Sequence, residues 1–379
     1  MRLRLGVLTV LLMTIPATAQ ITKAPAAPKS AVTVETVARG LVHPWALQFL
    51  PDGRMLVTER PGRLRIVDKA GQLSGPVEGV PAVAAINQGG LLDVLVAPDF
   101  STSRRIYFTF AEPRGMGQNG AAVARARLSE APNGANARLD DVEIIFRQQP
   151  SYGSGLHFGS RLALAPDGKL FVSLGERFQY DYAQDLGRHW GKVVRINTDG
   201  SVPQDNPFVG RDGALPEIWT LGHRNPQALT IHPTTGQVWE GEHGPRGGDE
   251  VNLIDKGKNY GWAVIGYGVH YSGARIGVGT QKEGMEQPIY YWDPSISPSG
   301  MVFYSSDAVP EWKGNLFLGS LSAQHLVRLI MDGNKVVGEE KLLTELGERI
   351  RDVRQGPDGA LYVLTDSQDG RVIRISKRA

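Results

Sequence analysis

The chain has 379 residues, and its 41 lysines and arginines nearly balance its 39 aspartates and glutamates, which leaves a formal net charge of +2. Without a long run of like charge, this composition gives no indication of a nucleic acid or an anionic membrane as partner. The sequence contains no cysteine, which excludes disulfides, a thiol nucleophile, zinc–thiolate sites and covalent haem attachment. Redox chemistry would therefore require a bound organic cofactor.

The first residues have the pattern of a signal peptide. Two arginines near the start are followed by an apolar run over residues 5–15 and by the A-x-A motif Ala17-Thr18-Ala19. We predict a signal peptide over residues 1–19, export to the periplasm, and no membrane span after cleavage, because the apolar run is too short to cross a bilayer. A retained N-terminal anchor is the alternative. Residues 20–31, rich in proline, alanine and lysine, are expected to form a flexible leader.

One pattern recurs along the rest of the chain: an alternating apolar strand, a turn of the Pro-Asp-Gly type, and a second strand rich in Val, Leu, Phe or Tyr. The copies are centred on turns at 51–53, 97–99, 165–168, 232–236 and 356–359, and on the segment 300–319. Repeats spaced by roughly 45 to 75 residues are typical of propeller blades. The sequence therefore predicts an all-β fold, a six-bladed β-propeller of four-stranded antiparallel blades that forms a single domain over residues 32–379. An all-β sandwich is the structural alternative.

Two further features of the predicted propeller concern its closure and its loops. Residues 33–37 are placed to pair with residues 371–375, which would remove two exposed strand edges at once. Segments 176–192 and 260–288, and the loop around Gln88, are longer than hairpin connections require. Long loops on a rigid scaffold commonly carry binding groups, so we expect these loops to lie on one face of the propeller.

The loop between Trp239 and Trp262 has the composition of a cation site. Its glycines allow the backbone to bend and expose carbonyl groups, and Glu242, Asp249 and Glu250 supply hard oxygen ligands. This set suits a calcium-type ion. A solvated loop between strands with ordinary turn chemistry is the alternative.

Several motifs, taken together and in order, resemble the soluble pyrroloquinoline-quinone (PQQ)-dependent sugar dehydrogenases, in particular their periplasmic aldose sugar dehydrogenase branch. The resemblance covers nearly all of the chain that follows the predicted signal peptide. It is carried by Gly155-Leu156-His157-Phe158-Gly159-Ser160-Arg161-Leu162, Leu221-Gly222-His223-Arg224-Asn225-Pro226-Gln227, Glu242-His243-Gly244-Pro245, Asp249-Glu250-Val251-Asn252 and Gly257-Lys258-Asn259-Tyr260-Gly261-Trp262.

The resemblance implies catalytic roles for three residues. His157 would be the general base that takes the proton of the sugar's C1 hydroxyl, for which a neutral imidazole is suited; a hydrogen-bonded structural histidine is the alternative. Glu176, in Leu174-Gly175-Glu176, stands at the position where the glucose dehydrogenase branch of the family has Gly-Asp. It would orient His157; a solvated glutamate is the alternative. Arg224 would polarise the quinone carbonyl.

The resemblance also implies a set of cofactor contacts. Guanidinium groups and amides suit the three carboxylates of PQQ. The positions concerned are Gln88, Arg224, Asn225, Tyr271, Ser320, Leu321, Ser322, Arg349, Ile350 and Arg351. At Ser322 the family branch has a lysine, and the loss of this cation predicts weaker cofactor binding. For Tyr271 the alternative is packing in the core. For Arg349 and Arg351 the alternative is a pair of surface arginines on one strand.

Two calcium roles follow from the same resemblance. Main-chain carbonyls of Gly244 and Pro245 would hold an ion beside the quinone, and Glu250 with Tyr260 would hold a second, structural ion. The implied function is oxidation of the C1 hydroxyl of aldose sugars to the lactone, with electrons passing to a diffusible or separate protein acceptor. A calcium-dependent propeller lactonase and a non-enzymatic periplasmic binding propeller are the alternatives.

Overall fold

The computed structural model describes residues 24–130 and 136–378, so the predicted signal peptide lies outside the described residues. The described chain consists almost wholly of strands in six antiparallel sheets. The first strand of each sheet contacts the first strand of the next, and the sixth sheet contacts the first. This ring confirms the predicted six-bladed β-propeller.

The blades follow one another along the chain. Blade 1 contains β2 (Pro44–Phe49), β3 (Met55–Glu59) and β4 (Arg63–Val67); blade 2 contains β5 (Leu91–Val96), β6 (Arg105–Pro113), β7 (Asn119–Ser129) and β8 (Arg138–Arg147); blade 3 contains β9 (Gly159–Leu164), β10 (Lys169–Leu174), β11 (Lys192–Asn197) and β12 (Ile218–Leu221). Blade 4 contains β13 (Pro226–Ile231), β14 (Val238–Glu242), β15 (Asp249–Ile254) and β16 (Tyr290–Trp292); blade 5 contains β17 (Pro298–Phe303), β18 (Leu316–Ser320), β19 (Leu326–Asp332) and β20 (Lys335–Leu342); blade 6 contains β21 (Ile350–Gln355), β22 (Leu361–Thr365), β23 (Gly370–Lys377) and β1 (Val32–Leu41). The single α-helical turn in the described chain is α1 (Phe100–Ser103), and Tyr180–Gln184 and Pro310–Trp312 form short 3-10 turns.

The N-terminal strand closes the ring as predicted. Strand β1 pairs antiparallel with β23, with Val34 opposite Ile375 and Thr36 opposite Ile373. The last blade is therefore completed by the N-terminal strand β1, and the pairing satisfies the facing edges of β1 and β23.

Blade 1 departs from the predicted four strands, because its sheet has three. The segment that follows β4 still runs beside it: Ser74 N–H donates to Ile66 O and Val77 N–H donates to Leu64 O, both over 2.8 Å. Pro76 lies between these two residues and has no N–H to donate. An irregular segment thus covers the edge that a fourth strand would cover.

Hydroxyl side chains tie neighbouring blades together near the axis. Thr58 of β3 donates to Leu92 O of blade 2, Thr109 of β6 donates to Ser160 O of blade 3, and Ser173 of β10 donates to Pro226 O of blade 4. Each hydroxyl also accepts a backbone N–H within its own blade. The inner strands are thereby fixed in register from one blade to the next.

A buried network of ion pairs occupies the propeller axis. Arg161 of β9 lies 3.2 Å from Asp352 of β21 and 3.5 Å from Asp93 of β5, and Arg354 lies 3.1 and 3.2 Å from the same two carboxylates. Arg161, Asp93 and Asp352 are each at most 1 % exposed. The guanidinium of Arg161 also stacks on Trp45 of β2, 4.0 Å from the ring centroid. Inner strands of four blades therefore meet in one charge-balanced cluster.

Part of the segment predicted as a flexible leader is anchored. Ala27 N–H donates to Glu339 O of β20, and Glu339 N–H donates to Pro25 O. Ser30 donates its hydroxyl to Glu340 over 2.9 Å and accepts from Trp312 Nε1 over 2.9 Å. Residues 24–31 thus lie along the outer edge of blade 5 before entering β1.

Within the described residues, no helix is long and apolar enough to cross a membrane.

Replacing Arg161 with leucine is expected to lower the free energy of unfolding by about 3–5 kcal/mol, because Asp93 and Asp352 lose a buried partner. Chemical denaturation followed by tryptophan fluorescence measures the change. The matched control is Arg147→Leu, which removes an exposed pair with Glu112 and should cost at most about 1 kcal/mol. Equal effects of the two substitutions would contradict the prediction.

Candidate functional site

The site is built around the buried imidazole of His157, which lies between Gly155 and β9. Its Nδ1 is 2.5 Å from Oε2 of Glu176, which follows β10, and its backbone N–H donates to Oε1 of Gln88 over 2.8 Å. His157 is 4 % exposed and Glu176 is fully buried. The structure therefore brings together three of the residues that the sequence singles out, from blades 2 and 3.

Burial lowers the pKa of His157 below its ordinary value, and the carboxylate of Glu176 offsets part of this effect. Arg224 and Arg177 lower the pKa further as neighbouring cations. The imidazole thus stays neutral at lower pH than a free histidine does. With Nδ1 facing Glu176, the other ring nitrogen, Nε2, is left to accept a proton.

The backbone around His157 adopts a conformation that side chains rarely take. His157 has φ 49° and Ser160 has φ 77°, both in the left-handed region. Gly175 makes this possible, because a Cβ there would lie 2.2 Å from the carbonyl oxygen of His157. Strained backbone held by its surroundings is common at functional sites, and here it turns the imidazole towards Glu176.

Arg224 connects the histidine to the Gly244 loop. Its Nη1 donates to the carbonyls of His243 and Gly244 over 2.9 and 2.8 Å, and its Nη2 donates to the Tyr271 hydroxyl over 3.2 Å. Its own carbonyl accepts from Glu176 N–H over 2.9 Å. One side chain thus touches both predicted cofactor residues and predicted metal ligands.

Asn225 is buried beside Arg224, and its Oδ1 accepts from Gly159 N–H over 3.2 Å. Its amide therefore holds the strained segment that follows His157 against the start of β13.

A polar cavity lies on the axis above the ion-pair network. Arg351 donates to Gln227 Oε1 and Asp366 Oδ2 over 2.7 Å each, and Arg349 lies 3.6 Å from the same carboxylate. Arg60 also lines the cavity; burial lowers its pKa, with a smaller lowering from Arg351. Three guanidinium groups thus face one carboxylate. The lining residues are Trp45, Arg60, Asn87, Gln88, Gln227, His243, Tyr271, Ser297, Leu321, Arg349 and Arg351.

The predicted cofactor residues divide into those that line this cavity and those that support it. Gln88, Tyr271, Leu321, Arg349 and Arg351 line it. Ser320 instead donates its hydroxyl to Ile296 O over 3.0 Å, and Ile350 is fully buried while its carbonyl accepts from Ser299. Ser322 is exposed, with its hydroxyl 3.0 Å from that of Ser297, itself a lining residue.

The four predicted metal ligands line a second, smaller cavity next to Arg224. Gly244, Pro245, Glu250 and Tyr260 all face it. The phenol of Tyr260 points away, since it donates to Leu253 O and accepts from Asp255 N–H, so only its main chain can serve as a ligand there.

Asp249 fixes the loop that carries these carbonyls. One of its carboxylate oxygens accepts from Gly244 N–H over 2.8 Å, and the other accepts from Ile296 and Ser297 N–H over 2.6 Å each. Burial raises the pKa of Asp249 to about 6. Asp249 is therefore a support for the loop and is not among the residues that line the small cavity.

Sequence reasoning missed Arg60, Gln227 and Trp45. Arg60 lies in the turn between β3 and β4, and the other two lie on the inner strands β13 and β2. Arg60 and Trp45 stand in no distinctive motif. Gln227, however, is the last residue of the motif Leu221–Gln227 and could have been singled out from it.

The geometry defines an all-β propeller with a histidine–carboxylate pair beside an arginine-lined axial cavity. The Glucose / Sorbosone dehydrogenase family matches residues 41–374, and the chain belongs to this family. It is 47 % identical over 350 residues to the aldose sugar dehydrogenase YliI of Escherichia coli K12, covering 92 % of this chain and 93 % of that protein.

Solved structures give the same relationship. The apo-form of the soluble aldose sugar dehydrogenase of Escherichia coli superposes with a TM-score of 0.88 at 46 % identity, covering 92 % of this chain and 100 % of that one. The PQQ-bound form of an aldose sugar dehydrogenase from Streptomyces coelicolor superposes with a TM-score of 0.74 at 26 % identity, covering 92 % and 99 %.

We expect Glu176→Gln to lower the pKa of His157 further, because the substitution removes the charge that favours the imidazolium. Titration of the histidine ring by NMR should place the wild-type pKa below about 6.5 and that of the variant lower still. Because the unfolded chain binds the proton at higher pH, the contribution of His157 to stability is present above pH 6.5 and decreases as the pH falls towards the folded pKa.

The matched control is Glu217→Gln, beside His189, which should leave His157 unchanged. An unchanged or raised pKa of His157 in Glu176→Gln would show that the two groups are not electrostatically paired.

Proposed function

We propose that this protein is a PQQ-dependent aldose sugar dehydrogenase that oxidises the C1 hydroxyl of its substrate to the lactone. The observation that carries the proposal is the buried His157–Glu176 pair beside an axial cavity with three guanidinium groups. Membership of the Glucose / Sorbosone dehydrogenase family and the similarity to a PQQ-bound aldose sugar dehydrogenase support the same reaction.

The charge of the axial cavity fits an anionic cofactor. Arg60, Arg349 and Arg351 line the cavity, and among the described residues Arg349 and Arg351 share the one carboxylate of Asp366, so the set carries an excess of positive charge. The buried Nε of Arg351 has no hydrogen-bond partner among the described residues. A tricarboxylate such as PQQ would supply the missing acceptors, and charge-assisted hydrogen bonds of this kind are strong.

His157 is assigned to the proton transfer. Glu176 holds Nδ1, which leaves Nε2 as the nitrogen that takes the proton of the C1 hydroxyl. The imidazolium that forms is stabilised by the carboxylate 2.5 Å away. When bound, PQQ supplies the acceptor for the hydride that leaves C1. Arg224, with its unpartnered and buried Nε, supplies positive charge next to the cavity.

Calcium is part of the proposal. Gly244, Pro245 and Glu250 line the same small cavity, and carbonyl and carboxylate oxygens are the donors that calcium prefers. Gly244 O already accepts from Arg224, but a carbonyl has a second lone pair. Bound calcium would supply a Lewis acid, and Glu250 with the Tyr260 main chain would hold the structural ion.

A calcium-dependent lactonase is less well supported. That reaction would need carboxylates and asparagines free to converge on a metal in the central tunnel. Here the carboxylates on the axis, Asp93 and Asp352, are paired with Arg161 and Arg354. A purely binding propeller would have no need for the strained, buried His157–Glu176 pair.

The proposal includes export to the periplasm and transfer of electrons to a diffusible or separate protein acceptor. The absence of cysteine excludes covalently attached haem, so a second redox partner would have to receive the electrons.

Purified protein supplied with PQQ and calcium should reduce a redox dye in the presence of aldoses, and the same protein without PQQ should not. His157→Ala is expected to lower kcat by about 10²–10⁴-fold, because the general base is lost, while PQQ absorbance in the bound protein is retained. Turnover by His157→Ala near the wild-type rate, or the absence of any PQQ-dependent activity, would overturn the proposal.

Two substitutions in the cofactor cavity should act in opposite directions. Arg351→Gln removes a charged partner of the cofactor and should raise the Kd for PQQ about 10-fold or more. Ser322→Lys adds a cation at the rim and should lower it. Fluorescence titration of the apo-protein with PQQ measures both. An unchanged Kd in both variants would show that these positions do not contact the cofactor.

A further inference from the structure

A buried cluster of potential metal ligands lies behind Arg224 and outside the axial cavity. His223, Glu240 and Glu242 each offer one ligand atom, and these atoms lie within 4.8 Å of one another. His223 Nδ1 is 3.2 Å from Glu242 Oε1 and 4.0 Å from Glu240 Oε2. His223 and Glu240 are fully buried, and Glu242 is 4 % exposed.

The cluster carries more negative charge than its surroundings balance. Glu250 of β15 lies opposite Glu242 of β14, and the amide of Asn252 donates to Glu240 over 3.1 Å and to Glu250 over 3.4 Å. The guanidinium of Arg224 is directed to carbonyls of the Gly244 loop instead. Buried carboxylates without a cation cost several kcal/mol each.

Two buried oxygens in this cluster have no partner. Glu240 Oε1 and Asn252 Oδ1 make no hydrogen bond to any described residue, although both residues are at most 1 % exposed. Unsatisfied buried acceptors are rare in folded proteins and commonly mark an ion or water site. Both oxygens belong to side chains that contact each other in the cluster, since the amide of Asn252 donates to Glu240.

His223 is held as metal-binding histidines are. Its Nε2 is 2.9 Å from the Thr220 hydroxyl, and its ring stacks on Tyr260 with centroids 4.8 Å apart. An outer hydrogen bond of this kind fixes the ring and directs the other nitrogen to the ion. The separations of 3.2 and 4.0 Å fit within the roughly 4.2 Å that two atoms, each about 2.1 Å from a shared metal, can span.

We propose that His223, Glu240 and Glu242 bind one divalent cation of the Zn²⁺ or Mn²⁺ type, with Asn252 Oδ1 as a further oxygen donor. A nitrogen ligand with carboxylates favours these ions over calcium, which takes oxygen ligands. The site lies next to the small cavity assigned to calcium, which Glu242 also lines, and its histidine nitrogen distinguishes it from the calcium positions. Because Glu242 also accepts the backbone N–H of Arg224, the ion would fix the position of the Arg224 segment.

The test measures metal uptake by protein that has been dialysed against EDTA, with PQQ omitted throughout. Calorimetric titration with Zn²⁺ should show one more equivalent bound by the wild type than by Glu240→Gln, and the wild-type Tm should rise by several degrees on loading. The matched control, Glu250→Gln, removes a carboxylate assigned to calcium and should retain this equivalent. Since no PQQ or sugar is present, failure of the dehydrogenase proposal leaves the result unaffected.

Cobalt provides a second measurement that does not depend on a variant. Co²⁺ added to the wild type should give visible absorption bands of a nitrogen- and oxygen-ligated ion, and His223→Gln should shift or abolish them. Equal Zn²⁺ uptake by the wild type and Glu240→Gln would overturn the proposal. Loss of the equivalent in Glu250→Gln as well would assign the ion to the calcium site, and absent Co²⁺ bands in the wild type would exclude the site.

Discussion

The guanidinium–carboxylate network on the propeller axis is the constraint on which the rest of the structure depends. Arg161 balances Asp93 and Asp352 and also donates to Gln227 O and Arg351 O over 2.8 and 2.9 Å. Gln227 and Arg351 line the axial cavity, so the network forms the floor of that cavity while it joins the blades. The paired charged groups of the network thus close the tunnel along the propeller axis beneath the cavity.

Above this floor, the candidate site combines strained backbone with buried charge. His157 and Ser160 adopt positive φ angles, and the segment keeps them because Gln88 and Asn225 accept its backbone N–H groups. Burial lowers the pKa of the imidazole, and its Nδ1 faces the carboxylate of Glu176. Strain of this kind costs about 1–3 kcal/mol per residue, which hydrogen bonds from three blades offset. The result is a histidine that would need little reorganisation to act as the proposed base.

Glu242 links the candidate site to the interior of blade 4. Its carboxylate accepts the backbone N–H of Arg224 and lies 3.2 Å from His223. Arg224 in turn reaches the Gly244 loop, which Asp249 holds from the other side. The position of one guanidinium therefore depends on a chain of buried acidic groups. The acidic residues of β14 and β15 therefore help to position Arg224, which neither a solvated loop nor a set of metal ligands alone would explain.

The sequence by itself determined the propeller, its closure by β1 and the residues His157, Arg224 and Arg351 as site candidates, because turns, strand alternation and motifs are local in the chain. It did not predict that blade 1 has three strands. The segment after β4 runs beside that strand, but Gly75-Pro76 interrupts the hydrogen bonds that would make it a fourth strand. Only the tertiary structure brought Arg60 to the axial cavity, because that cavity joins side chains from several blades that are distant in sequence. The contact of His223 with Glu240 lies within blade 4 and depends on how β13 and β14 pair.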